Sequence, residues 1–198
     1  LQAQVTELER QLREYKLQIS DKELKVEELQ RQLQYRDSVS QVVLGRLEAA
    51  LVDFTDNELL QIERRRGRVY VSLSEELLFR SGSATVGTQG KNALKTLAEV
   101  LKQNPDLTIN IEGHTDSIPI RTSRFSDNWD LSVLRATAVV RLLTDTYGVS
   151  PKNVIASGRS AYYPIYPNDT PSGREQNRRI EIILTPKLEE LYNILDNK

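Results

Sequence analysis

The sequence contains no cysteine and no methionine, and it has a single histidine. The absence of cysteine excludes disulfides, thiol catalysis and zinc-finger ligands, and one histidine makes a centre built on several imidazoles unexpected. No run of about 18 consecutive apolar residues is present, so the sequence predicts no membrane-spanning helix. We therefore expect neither a metal ion nor a cofactor in this chain.

The chain also lacks an excess of charge of either sign, with 27 Lys and Arg residues, 28 Asp and Glu residues and a formal net charge of −1. Domains that bind nucleic acid usually carry a basic face and a pI above about 9, so no nucleic-acid partner is expected. Charged residues make up 28% of the chain and hydrophobic residues 38%, a balance typical of folded domains. Because the chain starts at Leu1 and has no methionine, we expect a fragment or processed product, which a signal peptide or membrane anchor could precede.

Residues 1–54 predict a coiled-coil helix. Apolar or aromatic residues occupy 13 of the 16 positions that follow an alternating spacing of four and three residues, and no glycine or proline precedes Gly45. This period of 3.5 residues is typical of a coiled-coil seam, and β-branched residues at one core position with leucine at the other favour a parallel homodimer. The 13 residues are Leu1, Val5, Leu8, Leu12, Tyr15, Ile19, Val26, Leu29, Leu33, Val43, Leu47, Ala50 and Phe54, and the frame is interrupted at Lys22, Arg36 and Ser40.

An alternative for this segment is a long amphipathic helix that packs on its own domain. The narrow seam favours self-association, because a helix that covers a globular core usually shows a wider apolar face. At about 1.5 Å per residue, a helix over the first 54 residues would form a stalk about 80 Å long. We expect three parts: a stalk at 1–54, a joint at 55–67 and a globular domain at 68–198.

The globular part alternates strand and helix patterns. Strands are predicted at 68–73, 107–111, 154–158 and 179–185, and helices at 91–103, 129–147 and 187–195. In the joint, Asp56-Asn57-Glu58 is interpreted as the cap of a second short helix that ends at Arg64 to Gly67. The predicted fold class is α/β (an α+β sandwich), with a mixed four-stranded sheet and helices packed on one face.

Two polar segments mark a candidate binding site. Glu112 to Asp116 lie where a strand runs into a loop, and Asn128, Leu131, Ser132 and Arg135 share one face of the following helix. A carboxylate on the loop and a guanidinium on the helix suit a zwitterion, since Asp116 would take an ammonium and Arg135 a carboxylate. The alternative is an internal ion pair between Asp116 and Arg135 without any ligand.

These segments resemble the OmpA-like peptidoglycan-binding domain, which also occurs in MotB-like motor proteins and in peptidoglycan-associated lipoproteins. Its Asn-x-x-Leu-Ser-x-x-Arg-Ala signature is matched in full by Asn128 to Ala136, its Gly-His-Thr-Asp by Gly113 to Asp116, and its Asn-Arg-Arg by Asn177 to Arg179. The loop at 78–84 and Ser157-Gly158-Arg159 also resemble the family, so the likeness extends over about Val69 to Thr185. The insertion from Ile118 to Trp129 is more similar to the MotB branch.

The resemblance implies binding of the stem peptide of the cell wall at meso-diaminopimelate. By analogy, Asp116 would hold the ammonium of its free end and Arg135 the carboxylate. Thr115 and Asn128 would add polar contacts, and Leu131 would form an apolar wall. Arg178 or Arg179 would support the site, and strand alternation lets only one of the two face it.

The resulting hypothesis is a non-enzymatic tether to peptidoglycan in the periplasm of a diderm bacterium, attached in the full-length protein to the outer or the inner membrane. The alternative is the wall-anchoring part of a MotB-like stator. A third class, a wall hydrolase, would need Glu112, His114 and Asp116 to be catalytic. Glu112 and Asp116 would lie about 13 Å apart on an extended strand, and a single histidine at a strand end usually makes one fixed hydrogen bond.

Overall fold

The first element of the computed structural model is helix α1, Gln2–Ala50. The predicted helix is therefore confirmed, although it ends four residues before the predicted bound at 54, and its association with a second copy stays a prediction. Seam residues between Val5 and Leu33 are mostly exposed, whereas Val43 and Leu47 are buried in a hydrophobic core. The C-terminal part of the seam therefore packs within the chain's own core.

The structure describes residues 2–55, 59–80 and 83–187. The described chain divides into two compact units, one ending at Ser38 and the other spanning Val39–Lys187. Leu1, the predicted helix cap at 56–58, positions 81–82 of the family-like loop and the C-terminal helix beyond Lys187 lie outside the described residues.

Within the described residues, five strands form one mixed sheet in the order β1-β2-β5-β3-β4. The pairs β1–β2, β2–β5 and β5–β3 are antiparallel, and β4 lies parallel to β3. The mixed sheet is confirmed, with one strand more than predicted. The strands are β1 (Leu60–Arg65), β2 (Arg68–Ser74), β3 (Leu107–Gly113), β4 (Val154–Gly158) and β5 (Arg179–Pro186).

The additional strand is β1, which lies in the segment interpreted as a joint with a short helix. Arg64 to Gly67 do not end a helix, because Arg65 pairs with Arg68 across a two-residue hairpin turn. Arg66 and Gly67 have φ values of 52° and 69°, the left-handed conformation that a type I′ turn requires and that glycine adopts most readily. Burial of Leu60 beside exposed Gln61 gives the alternation that identifies a strand.

Six α-helices accompany the sheet within the described residues. Helix α4 (Thr88–Lys102) begins three residues before the predicted start, and α5 (Asn128–Arg141) begins one residue earlier than predicted. After α5, a π-helical turn over Leu142–Thr146 leads to Gly148, whose φ of 77° confirms the predicted C-cap. Two short helices were not predicted, α3 and α6. The helices after α1 are α2 (Val52–Thr55), α3 (Glu75–Leu78), α4 (Thr88–Lys102), α5 (Asn128–Arg141) and α6 (Pro171–Asn177).

The core lies between one face of the sheet and the helices. Ile182 of β5 is paired with both Val71 and Ile111, so these three side chains share a face. They belong to one buried cluster with residues of α1, α4 and α5, which include Leu47, Leu94, Leu97, Leu101, Ala136 and Val139. Each large side chain fully buried there contributes about 1.5–3 kcal/mol.

Candidate functional site

The end of β3 lies close to the start of α5. This approach is possible because β3 and its neighbour β4 both end in glycine, at Gly113 and Gly158. A Cβ atom added to Gly113 would lie 2.1 Å from the carbonyl oxygen of Ser132, and one added to Gly158 would lie 2.4 Å from Ser132 Oγ. Ser132 Oγ also accepts a hydrogen bond of 3.2 Å from the amide of Ser160. These contacts seat α5 against the strand ends, next to the segment that carries His114, Thr115 and Asp116.

Asp116 is only 6% exposed, and both of its carboxylate oxygens are engaged. Oδ1 accepts a hydrogen bond of 2.9 Å from the amide of Ile118, and Oδ2 pairs with Arg178 Nη1 at 2.8 Å. The first contact is a local turn that orients the carboxylate. The second is an ion pair with a residue 62 positions further along the chain.

Arg135 is 3% exposed and lies on the inward face of α5, as the helical spacing predicts. Its Nε and Nη2 each donate 3.2 Å hydrogen bonds to the carbonyl oxygen of Ser83, and its guanidinium lies 5.0 Å from the centre of the Phe79 ring. Nη2 also donates to Glu75 Oε1. Among the described residues, the acidic partner of Arg135 is therefore Glu75 and not Asp116.

Glu75, which the sequence patterns did not single out, connects the two predicted ligand-binding residues. Its second oxygen, Oε2, accepts a hydrogen bond from Arg178 Nε, so Arg178 bridges Glu75 and Asp116. Burial alone would lower the pKa of Arg178, but the hydrogen bond to Asp116 and the charge of Glu75 outweigh burial and raise this pKa above its ordinary value. The only feature of the sequence that could have marked Glu75 was the acidic pair Glu75-Glu76, which follows the helix-capping Ser74.

Two other predicted site residues, Asn128 and Thr115, contact Asp116, and a third, Leu131, lies on α5. Asn128 Nδ2 donates to the carbonyl oxygens of Asp116 and Ile118, at 3.2 and 3.0 Å, and its Oδ1 accepts from the amide of Ile120 at 3.1 Å. Asn128 thus braces the loop after β3. Thr115 is buried and its Oγ1 donates to the carbonyl oxygen of Asp116 at 3.0 Å, and Leu131 is buried on α5.

Arg178, which caps the C-terminus of α6, and Arg179, the first residue of β5, contact different groups. Arg178 contacts Asp116 and Glu75, whereas Arg179 Nε donates to Glu181 Oε1 at 2.9 Å. Arg179 also donates to the carbonyl oxygens of Asn177 and Tyr163, at 3.3 Å each. Of the two arginines, the structure joins only Arg178 to Asp116 among the described residues.

His114 belongs to a second buried cluster, with Glu112 and Glu181 on paired positions of β3 and β5. Its Nε2 lies 3.3 Å from Glu112 Oε1 and 4.0 Å from Glu181 Oε2, but neither ring nitrogen makes a well-directed hydrogen bond. The contact with His114 lowers the pKa of Glu112 below its ordinary value; burial opposes this shift, and the ion pair with Arg159 adds to it.

Glu112, His114 and Glu181 offer ligand atoms that lie within 4.8 Å of one another, the spacing of a metal site. Each carboxylate is already paired with a guanidinium, Glu112 with Arg159 at 3.0 Å and Glu181 with Arg179 at 2.9 Å. A divalent cation would therefore enter a buried cluster without negative charge in excess, which is unfavourable. We interpret the cluster as an internal charge network.

Exposed aromatic residues lie beside the site. Trp129, the second residue of α5, stacks on Tyr162 with ring centres 5.6 Å apart. Tyr163 lies 4.6 Å below the guanidinium of Arg159. The contact with Tyr162 joins the start of α5 to the loop after β4.

The chain is similar to several curated proteins and solved structures. Motility protein B of Bacillus subtilis is 36% identical over 117 residues, which are 59% of this chain and 45% of that protein. The solved structure of the cell wall anchor of the T6SS from Pseudomonas aeruginosa is 33% identical, with a TM-score of 0.66 over 71% of this chain and 97% of that one. The periplasmic domain of Helicobacter pylori MotB is 28% identical, with a TM-score of 0.62 over 72% of this chain and 90% of that one.

The chain spans about half the length of the curated relatives it matches, from 45% to 61% for the first three. Within the described residues, no helix has the length and hydropathy needed to cross a membrane. The sequence pattern of the OmpA family matches residues 78–178, just over half of the chain and the part that contains both Asp116 and Arg135. On this match, the protein belongs to the OmpA family.

Proposed function

We propose that this chain binds peptidoglycan non-covalently, at the meso-diaminopimelate of the stem peptide, and tethers an envelope protein to the cell wall. The observation that carries the proposal is a pair of buried, opposite charges, Asp116 after β3 and Arg135 on α5. A free diaminopimelate end bears an ammonium and a carboxylate on one carbon. The ammonium would pair with Asp116 and the carboxylate with Arg135 through charge-assisted hydrogen bonds.

Both groups are held in place by contacts that a ligand does not have to break. The amide of Ile118 fixes one oxygen of Asp116, and the carbonyl oxygen of Ser83 fixes two nitrogens of Arg135. Preorganisation of this kind reduces the entropy lost on binding. Thr115 and Asn128 would add polar contacts to the ligand, Leu131 would form an apolar wall, and Arg178 would support the site through Asp116.

The comparisons support the same function. The neighbour from Pseudomonas aeruginosa is described as a cell wall anchor, and its likeness covers 71% of our chain. We propose an anchoring role without catalysis, because the carboxylates that a hydrolase would use, Glu112 and Asp116, are each held by an arginine. The periplasm of a diderm bacterium is the proposed location.

The second candidate is the wall-anchoring part of a stator, favoured by the similarity to Motility protein B of Bacillus subtilis. Both candidates use the same domain and differ in what precedes it. A membrane helix with an intramembrane aspartate upstream in the full gene would favour the stator, and a lipidated cysteine would favour the passive tether.

We also propose that the chain dimerises through the N-terminal part of α1. Several seam residues are about half exposed within one chain, among them Val5, Leu12 and Ile19. The seam residues Val43 and Leu47 are already buried in the core, so the pairing surface would end before Ser40. A parallel dimer would place two binding domains on one polymer.

The proposed function is tested by calorimetric titration of the chain with a muropeptide that contains meso-diaminopimelate. We expect saturable binding by the wild type and a loss of about 2–5 kcal/mol in Arg135→Ala, the usual cost of removing one partner of a buried charge pair. Arg141→Ala, an exposed arginine in the last turn of the same helix, is the matched control and should bind as the wild type does. Absence of binding by the folded wild type, or equal binding by Arg135→Ala, would contradict the proposal.

A further inference from the structure

Four charged side chains form a row of alternating sign, Asp116–Arg178–Glu75–Arg135. Arg178 Nη1 lies 2.8 Å from Asp116 Oδ2, Arg178 Nε donates to Glu75 Oε2, and Arg135 Nη2 donates to Glu75 Oε1. The formal charges of the row sum to zero. We refer to these four residues as the charge row.

The outer members of the charge row are fixed independently of the inner ones. Asp116 is held by the amide of Ile118, and Arg135 by the carbonyl oxygen of Ser83. The inner members are joined to each other twice, through the side-chain contact and through a backbone hydrogen bond of 2.9 Å from the amide of Glu75 to the carbonyl oxygen of Arg178. Separation of the inner pair from the outer residues would therefore leave an intact ion pair.

The charge row imposes a condition on any ligand. A ligand carboxylate that takes the place of Glu75 on Arg135, and a ligand ammonium that takes the place of Arg178 on Asp116, each exchange one partner for another of the same charge. A carboxylate alone would leave this largely buried row with a net negative charge, and an ammonium alone would leave it with a net positive charge. Burying an uncompensated charge is strongly unfavourable, whereas a zwitterion keeps the row neutral.

We propose that Glu75 and Arg178 are specificity-determining residues that act by partner exchange, an inference that rests on the proposed function of the site. In the free protein they occupy Arg135 and Asp116. When an ammonium and a carboxylate arrive together, Glu75 and Arg178 leave the outer residues and stay paired with each other. The site thus selects a ligand whose free end carries both charges, and it discriminates against an amidated end or an end without the amine.

The experiment compares three stem peptides by calorimetric titration of the full chain. The first contains meso-diaminopimelate, the second has a carboxamide in place of its free carboxylate, and the third has 2-aminopimelate, which lacks the free amine. The wild type should prefer the zwitterion to either singly charged ligand by at least about tenfold, the factor expected from one charge-assisted hydrogen bond.

Two variants should change this order in opposite directions. Glu75→Gln leaves the row with one positive charge in excess, so the 2-aminopimelate peptide should gain at least about tenfold relative to the zwitterion. Arg178→Gln leaves one negative charge in excess, so the carboxamide peptide should gain by a similar factor. Glu76→Gln removes the same charge from the neighbouring residue, which lies outside the row, and should retain the wild-type order.

The outcomes separate the inference from the proposed function. If the wild type binds but both variants keep its order of preference, or weaken all three ligands equally, Glu75 and Arg178 are only structural supports and the inference is wrong. If the folded wild type binds none of the three peptides, the proposed function fails and the inference fails with it. Circular dichroism of each variant establishes that it is folded before titration.

Discussion

The close approach of α5 to the end of β3 leads to a quantitative prediction for Gly113→Ala. The new Cβ would lie 2.1 Å from the carbonyl oxygen of Ser132, whereas an ordinary contact needs about 3.4 Å, so the two backbones must separate by about 1 Å. The φ angle of Gly113 is not in the left-handed region, and alanine can adopt it. The cost is therefore steric and not conformational.

Overpacking of this kind costs about 1–3 kcal/mol, and we expect the upper part of this range because the obstructing atoms belong to the backbone of a helix. With a urea dependence of about 2 kcal/mol per molar, the unfolding midpoint of the Val39–Lys187 unit should fall by about 1 M. The shift of α5 should also move Arg135 away from Ser83 and weaken muropeptide binding.

Gly45→Ala is the control for Gly113→Ala. Gly45 lies in the same compact unit, within helix α1, and outside its own helix no atom lies within 4 Å of the position that a Cβ would take. Alanine is the better helix former, so this variant should gain about 0.5–1 kcal/mol. Urea unfolding of both variants at one protein concentration checks the pair. A Gly113→Ala protein as stable as the wild type would refute the close-approach argument.

The seam and the buried cluster give two further predictions. Ile19→Lys should convert the proposed dimer to a monomer in sedimentation at tens of micromolar. Leu24→Lys changes a similarly exposed leucine outside the seam and should leave the protein dimeric. A monomeric wild type would contradict the proposed dimerisation through the seam. Because the pKa of folded Glu112 lies below its ordinary value of about 4.5, Glu112 contributes stability that is present above that pH and is lost as the pH falls through the folded pKa. Urea midpoints between pH 3 and 7 should therefore fall less steeply toward acid in Glu112→Gln than in the wild type, and equal slopes would exclude this contribution.

The elements that local patterns determine were predictable from the sequence. Helix α5 follows from its apolar spacing and from Gly148, and β4 was predicted at its observed bounds, Val154–Gly158. The face of α5 that carries Leu131, Ser132 and Arg135 also followed from spacing alone, and all three are buried. Local periodicity was sufficient here because tertiary contacts reinforce it.

The features that were not predicted depend on contacts between distant parts of the chain. Glu75 lies 60 positions before Arg135 and 103 before Arg178, and no local pattern marks a carboxylate for partners so far away. Alternation predicted that only one of Arg178 and Arg179 would face Asp116, but the choice depended on how β5 pairs with β2. Strand β1 was missed because its arginines and the turn that follows were interpreted as a helix end, although Leu60 and Ile62 alternate with polar residues.

The proposed partner exchange would make the site selective although its four charges are paired with one another before a ligand arrives. In this proposal, competition from Glu75 and Arg178 would reduce the affinity for every ligand, because a ligand replaces their contacts with Arg135 and Asp116. The reduction would be smallest for a zwitterion, because it replaces every ion pair that is lost. The site would therefore bind more weakly but distinguish better between ligands. A tether can tolerate weak single sites if it is dimeric, since two linked sites on one polymer raise avidity by about 10²–10⁴ where the geometry permits. The proposed partner exchange at Glu75 would make the binding domain selective, and dimerisation through the proposed seam on α1 would raise the overall affinity for the polymer.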